Sequence, residues 1–296
     1  MNFLTKSNSD RWFDIGNFIF LTGVLLIVMY PLYFIVIASF SDPLLVSGGQ
    51  VFLWPKDITF EGYKGVFQDV QLLTGFRNSV FYVVLGTIIN LLLTLPAAYA
   101  MSLPHLKGRS VMTFLFIFTM FFQGGLIPTY MIVKDLGMLN TIWALVIPNA
   151  LSVWNLIIAR TFFQSTIPKE MREAATVDGA SHTRFFISVV LPVSSALIAV
   201  MVLFYGVAHW NSYFNALIYL RDKALFPVQL VLRDILVQNT VEMSLIKDRE
   251  LIEEKQLLAQ SMKYAVIIFV SIPVLVLYPF LQKYFVKGVM IGSLKG

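Results

Sequence analysis

Glu170, Arg172, Glu173 and Asp178 crowd into the segment Ile167-Pro168-Lys169-Glu170-Met171-Arg172-Glu173-Ala174-Ala175-Thr176-Val177-Asp178-Gly179-Ala180-Ser181, a short polar interruption between two long apolar runs. Their chemistry is ionic docking: charges fix register with a partner, while the small Ala174 and Ala175 let its surface come close. A second set, Asn149, Trp154 and Asn155 and then Trp210, Asn211, Tyr213 and Asn215, joins carboxamides to aromatic rings, which suits uncharged, hydroxyl-rich ligands. The same amides can bond helix to helix instead, and Trp210 and Tyr213 can anchor at a membrane interface. His105, His182 and His209 lack metal-ligand spacing. No His, Asp and Ser groups cluster at catalytic spacing, and there is no G-x-x-x-x-G-K-[ST] phosphate loop. The expectation is a non-enzymatic chain with no cofactor or metal of its own.

The elements that must carry these residues are helices in a membrane. Of 296 residues, 57% are hydrophobic and 13% charged, against about 25% charged in soluble domains. Charge-free runs cover 15–41, 78–104, 110–133, 136–159, 185–220 and 264–282. Each is long enough for one crossing of about 20 helical residues, which predicts an all-α chain with spans at 15–38, 78–101, 111–133, 137–159, 186–208 and 264–284. Barrel strands would alternate over about 10 residues, and these runs do not. The first run exceeds a signal-peptide core and has no small-residue cleavage pattern, so it reads as a retained helix. Cysteine is absent, which removes disulfides and thiolate metal sites.

Basic residues decide the orientation. Lys6 and Arg11, Lys107 and Arg109, Arg160, Lys169, Arg172 and Arg184, and Lys283, Lys287 and Lys295 fall on one side of an even number of spans. That side is read as cytoplasmic and holds both termini, with an N-terminal segment at 1–14, a six-helix transmembrane domain at 15–285 and a tail at 286–296. The net charge of +5 is therefore a topology signal, not a nucleic-acid footprint. Outside lie 42–76, expected as an irregular loop with Trp54 near the interface, and 221–263, whose charged run at 243–258 predicts an amphipathic helix. Inside, Pro168 suits a first helical turn, 169–175 is rich in helix formers and Gly179 can close the helix with a left-handed residue. A short helix along the membrane face results. It can dock a partner or simply be a bland interfacial helix.

Glu173-Ala174-Ala175, three residues, Gly179, nine residues, then Val189-x-Leu191-Pro192 resembles the EAA motif of bacterial ATP-binding-cassette (ABC) importer permeases, EAA-x3-G-x9-I-x-LP, with Val189 in place of Ile. Arg77-Asn78-Ser79, Pro96-Ala97-Ala98-Tyr99-Ala100, Ile127-Pro128, His209-Trp210-Asn211 and the tail from Lys287 look like the carbohydrate-uptake, MalG-like and LplC-like branch of these binding-protein-dependent systems. The resemblance runs from about residue 12 to the C-terminus. It implies the type I importer permease fold, with 167–185 as a coupling loop docked in a cleft of an ATP-binding subunit. Glu173 then stands where the motif glutamate pairs with a basic residue, Gly179 positions the helix, Leu191 and Pro192 start the fifth span, and Arg172 and Asp178 lie at the rim. It also implies that Gly288, Gly292 and Lys295 reach toward the ATPase subunits and that 221–263 enters the binding protein. The implied partners are a second, MalF-like or LplB-like permease, two subunits binding ATP and Mg²⁺, an extracytoplasmic substrate-binding protein and the lipid bilayer. Competing readings are an ion- or proton-coupled secondary transporter, which would want acidic residues within spans, and an importer for a non-sugar solute such as glycerol-phosphate.

Overall fold

The computed structural model describes residues 8–237, 260, 262–277 and 279, and all regular structure among them is helical. The run at 243–258 and the tail with Gly288, Gly292 and Lys295 lie outside the described residues. The chain divides into two compact units, residues 1–69 with 234–271, and residues 70–233 with 272–296.

The first unit opens with α1 (Asn8–Ser39), then α2 (Pro43–Ser47) and α3 (Glu61–Gln68). The segment at 42–76, expected to be irregular, thus holds two short helices and the first turns of the next. Asp42 accepts the Leu44 N–H at 2.8 Å and Pro43 opens α2, a side-chain cap followed by a residue that needs no N–H partner. Phe40 stacks on Tyr63 at 5.1 Å, and the Tyr63 hydroxyl bonds Ser39 Oγ at 2.9 Å. The late helix Met262–Leu277 joins this unit through edge contacts of Tyr264 on Phe34 and Phe269 on Phe67.

The second unit is organised around α4 (Val70–Ser102). After it come α5 (Arg109–Phe121), α6 (Leu126–Asp135), α7 (Trp143–Val146), α8 (Val153–Thr166), α9 (Lys169–Val177) and α10 (His182–Phe185). A π turn (Phe186–Val190) leads into α11 (Leu191–Val193), α12 (Ser195–Trp210), α13 (Phe214–Tyr219), a 3₁₀ turn (Lys223–Leu225) and α14 (Val228–Val237). α8 and α12 pack on α4. Their shared core holds Leu95, Ala98, Tyr99, Leu156, Phe163 and Met201.

Residues 10–39 of α1 and all of α4 are each long and apolar enough to cross a bilayer. The continuous helices expected at 111–133, 137–159 and 186–208 are interrupted instead. α5 and α6 meet at 113°, because Gly125 at φ +86 and ψ −175 adopts backbone that only glycine tolerates. Between 137 and 152 the chain turns through Gly137 at φ +68 and Asn140 at φ +57. Asn140 holds that left-handed conformation by bonding both ways: its N–H donates to the Tyr219 carbonyl at 2.8 Å, and its Oδ1 accepts from Arg221 and Asp222 N–H at 2.9 Å each. The fifth apolar run bends by 82°. Pro192 there offers no N–H to the Ser188 carbonyl and crowds it, so the backbone widens into the π turn and breaks at Ser194. Pro31 and Pro96, by contrast, sit inside unbroken helices.

The segment at 224–228, near the start of the expected outer loop, is bound to α4. Asn78 Nδ2 donates to the carbonyls of Ala224 and Phe226 at 2.7 and 3.1 Å, Tyr82 donates to Leu225 O at 2.8 Å, and Ser79 Oγ accepts the Val228 N–H at 2.8 Å. Backbone groups of a non-helical stretch are thereby satisfied by side chains from one helix face.

Candidate functional site

α9 is held at both ends by buried apolar residues, Ile167 before it and Phe185 after it. Met171 and Ala175, four apart and so on one face, pack against the α4–α8–α12 core. The opposite face is exposed and presents Glu170, Glu173, Ala174 and Val177, with Asp178 at its end. Ala174 and Ala175, which sequence alone treats as a pair, are thus divided: Ala174 faces outward and Ala175 is part of the anchor. Val177 is 88% exposed, an apolar side chain on a charged face that none of the described residues covers.

The helix ends in a Schellman motif. Gly179 takes φ +71, its N–H donates to Thr176 O at 3.1 Å, and the Ala180 N–H donates to Ala175 O at 2.9 Å. Ser181 then starts the next helix by accepting the Arg184 N–H at 3.2 Å. The exposed face of α9 and the fifth apolar run are therefore joined by one capped turn, with no slack linker between them.

Arg172 differs from its expected place at a solvated rim. It is half-buried beside Tyr99, close enough for its charge to act on the Tyr99 hydroxyl, although that hydroxyl and the Arg172 Nε are both buried short of a well-formed hydrogen bond among the described residues. Tyr99 in turn stacks on Phe186 of the π turn at 5.0 Å and meets Phe163 edge-on at 6.0 Å. A movement of α9 thus bears on α4, α8 and the π turn through one aromatic cluster. Leu191 packs against the same core, while Pro192 is exposed.

The carboxamide and aromatic set divides as well. Asn149, Asn155, Asn211, Tyr213 and Asn215 line one cavity of about 340 Å³ between α8, α12 and α13. Trp154 points away at 62% exposure, and buried Trp210 packs edge-on against Phe76 at 5.5 Å. Tyr205 and His209 of α12 also line it, and both belong to a polar seam between α4 and α12 that sequence reasoning missed. Gly86, Asn90 and Thr94 recur every four residues on α4, facing Tyr205 and His209 on α12. Asn90 Nδ2 donates to the carbonyls of Asn149 and Ala150 at 3.0 and 2.8 Å, closing the break between α7 and α8. Its Oδ1 is therefore the acceptor toward His209 Nε2 at 2.7 Å, which places a proton on Nε2. Thr94 Oγ1 and the Tyr205 hydroxyl lie 2.6 Å apart. The signal was available: an asparagine within an apolar span needs partners, and Gly86 and Thr94 mark its face.

The chain matches the family of binding-protein-dependent transport system inner membrane components over residues 72–291. It belongs to that family. The match takes in both the α9 loop and the cavity, and it makes the chain a membrane-embedded permease of an ABC importer, a transport subunit and not an enzyme. LplC of Bacillus subtilis (strain 168) is 40% identical over 291 residues, covering 98% of this permease and 97% of LplC. YtcP of the same strain, a polygalacturonan/rhamnogalacturonan transport system permease protein, is 38% identical over 97% of this permease and 99% of its own length. Among solved structures, a bacterial ABC transporter involved in import of the acidic polysaccharide alginate superposes with a TM-score of 0.87 at 34% identity, over 95% of this permease and 99% of that chain.

Proposed function

We propose that this permease forms one half of the pore of a carbohydrate importer, oligosaccharide being the preferred cargo. It pairs with a second, MalF-like or LplB-like permease and is driven by two ATP-binding subunits that hold ATP and Mg²⁺. An extracytoplasmic binding protein delivers the solute. Six crossings place both termini and the 167–185 loop in the cytoplasm of a multi-pass bacterial membrane protein, with 221–263 outside and Gly288, Gly292 and Lys295 directed at the ATPase subunits.

The observation that carries the reading is the two-sided α9. Its inner face is locked to the core by Met171 and Ala175 and its outer face offers Glu173 beside Ala174 and Val177. A partner cleft that takes this face transmits displacement only if the helix is rigidly capped, and the Gly179 motif supplies that. ATP-driven approach of the two motor subunits draws the loop helices together, and the bend at Ser194 gives the fifth run a place to pivot. The carbohydrate assignment is supported by the transport descriptions of YtcP and the alginate importer and by a cavity lined with carboxamides and phenols.

Reversing one charge tests the coupling. With Glu173→Lys the four-subunit complex should still assemble, since Glu173 is exposed and holds nothing in place, while ATP hydrolysis in proteoliposomes proceeds without solute uptake. Normal uptake by that complex refutes the docking role of α9.

A further inference from the structure

Among the charged side chains of α9, Arg172 is the exception. Lys169, Glu170 and Glu173 are exposed, as is Asp178 at the helix end, whereas Arg172 is half-buried. Successive residues stand about 100° apart around a helix, so Arg172 shares the inner face with Met171 and Ala175, and Glu173 follows it by one such step onto the outer face. Met171 and Ala175 are the side chains of α9 that pack on the α4–α8–α12 core. Arg172 lies beside Tyr99 of α4 with its Nε buried. Tyr99 is itself buried and braced, stacked on Phe186 at 5.0 Å and edge-on to Phe163 at 6.0 Å.

A guanidinium in that place costs desolvation that an apolar side chain would not. Packing alone does not call for it, since Met171 fills the neighbouring place on the same face with an unbranched apolar chain. A half-buried ion is also weak grounds for stability, because an apolar residue of like volume is often neutral or stabilising there. What the guanidinium adds is direction. Two apolar contacts hold a short helix to a core but fix its rotation about its own axis only loosely, being non-directional, whereas a planar fork of donors set against a braced phenol fixes it sharply. A roll of about 20° carries a carboxylate roughly 6 Å from the helix axis through about 2 Å. That exceeds what a charge-assisted hydrogen bond tolerates.

We infer that Arg172 is a positioning residue for the docking face: by bearing on Tyr99 it sets the roll of α9, and with it the direction in which Glu173 meets the motor subunit. It acts through Glu173, from beneath the helix, and not by touching the motor itself. This rests on the docking role of α9 proposed above and adds to it the residue that aims the docking charge.

The test follows the complete importer in nanodiscs, with two readouts: the rate at which the ATP-binding subunits leave on dilution, and the unfolding midpoint of the complex in an SDS titration. Arg172→Met keeps an unbranched side chain and a similar helix propensity and removes the fork. Its complex should assemble and keep or raise its midpoint, while release of the motor subunits quickens about fivefold, since a misdirected ion pair shows mainly in the dissociation rate. Arg172→Lys, which keeps the charge without the fork, should fall between Arg172→Met and wild type. Tyr99→Phe should also quicken release without lowering the midpoint, and adding it to Arg172→Met should bring no further change, because both remove one contact. Wild-type release from the Arg172→Met complex overturns the inference, as do additive effects in the double variant. A midpoint that drops in step with faster release makes Arg172 a structural prop and overturns it equally. Glu173→Lys, run alongside, separates the two levels: faster release there with none in Arg172→Met removes the positioning role alone, whereas wild-type release from both removes the docking role of α9 beneath it.

Discussion

Adding one methyl group at Gly86 should unseat His209. A Cβ built there falls 2.3 Å from His209 Nε2, 2.5 Å from Cε1 and 2.7 Å from Cδ2, where ordinary contact begins at 3.4 Å. The ring must retreat by roughly 1 Å, since repulsion at such distances is prohibitive. It is not free to do so, because Nε2 is held at 2.7 Å by Asn90 Oδ1, and Asn90 is itself fixed by two carbonyls at the α7–α8 break. Either that bond fails or α4 and α12 move apart, which strains the 2.6 Å Thr94–Tyr205 contact farther along the same seam. Overpacking costs about 1–3 kcal/mol, and losing a hydrogen bond within a membrane adds about 0.6 and at most about 1.7 kcal/mol. Gly86→Ala should therefore destabilise the permease by about 2–4 kcal/mol, read as the unfolding midpoint in an SDS titration of the purified complex. The decisive comparison is a double-mutant cycle with His209→Ala, which empties the space the methyl needs. Gly86→Ala should cost almost nothing in that background, giving a coupling of about 2–4 kcal/mol. Additive effects, or a Gly86→Ala permease within about 0.5 kcal/mol of wild type, would refute the account of this seam.

Substitutions at two further positions bear on α9 and its anchor. A Cβ at Gly179 meets no atom within 4 Å, so Gly179→Ala acts through the left-handed backbone alone, at a cost of about 1–2 kcal/mol; uptake and the unfolding midpoint should both fall, and Gly179→Asn should be milder because asparagine tolerates that conformation. Equal impairment by both variants would point to a lost contact instead. Tyr99→Phe should be neutral or stabilising, since it deletes a hydroxyl that is buried without a partner among the described residues. Tyr99→Ala should cost about 3–5 kcal/mol by emptying the stack on Phe186 and Phe163, and a Tyr99→Phe permease as unstable as Tyr99→Ala would assign the hydroxyl a bond to Arg172.

The membrane class and the short helix at 169–177 were legible in the residues because both are local. An apolar run declares itself without reference to anything else in the chain, and Pro168 and Gly179 shape their own turns, as the Schellman motif at Gly179 bears out. Sequence could also pick out Asn149, Asn155, Asn211, Tyr213 and Asn215 as a polar and aromatic group, since carboxamides in apolar surroundings are conspicuous. It could not say which of them were already spent. That depended on Asn90, which lies 119 residues from His209 in sequence and yet bonds it, and on the break before α8 that supplies Asn90 with two carbonyls. Nor could it divide Ala174 from Ala175 or bury Arg172, because the facing of a short helix is set by the core it lands on. Composition and spacing determined that this chain is a membrane protein with a short charged helix between two apolar runs, and the motif carried on that helix pointed to the permease family. Tertiary packing alone decided where the apolar runs bend and which asparagines are already bonded, because hydrogen bonds between distant helices are satisfied in space and leave no periodic trace along the chain.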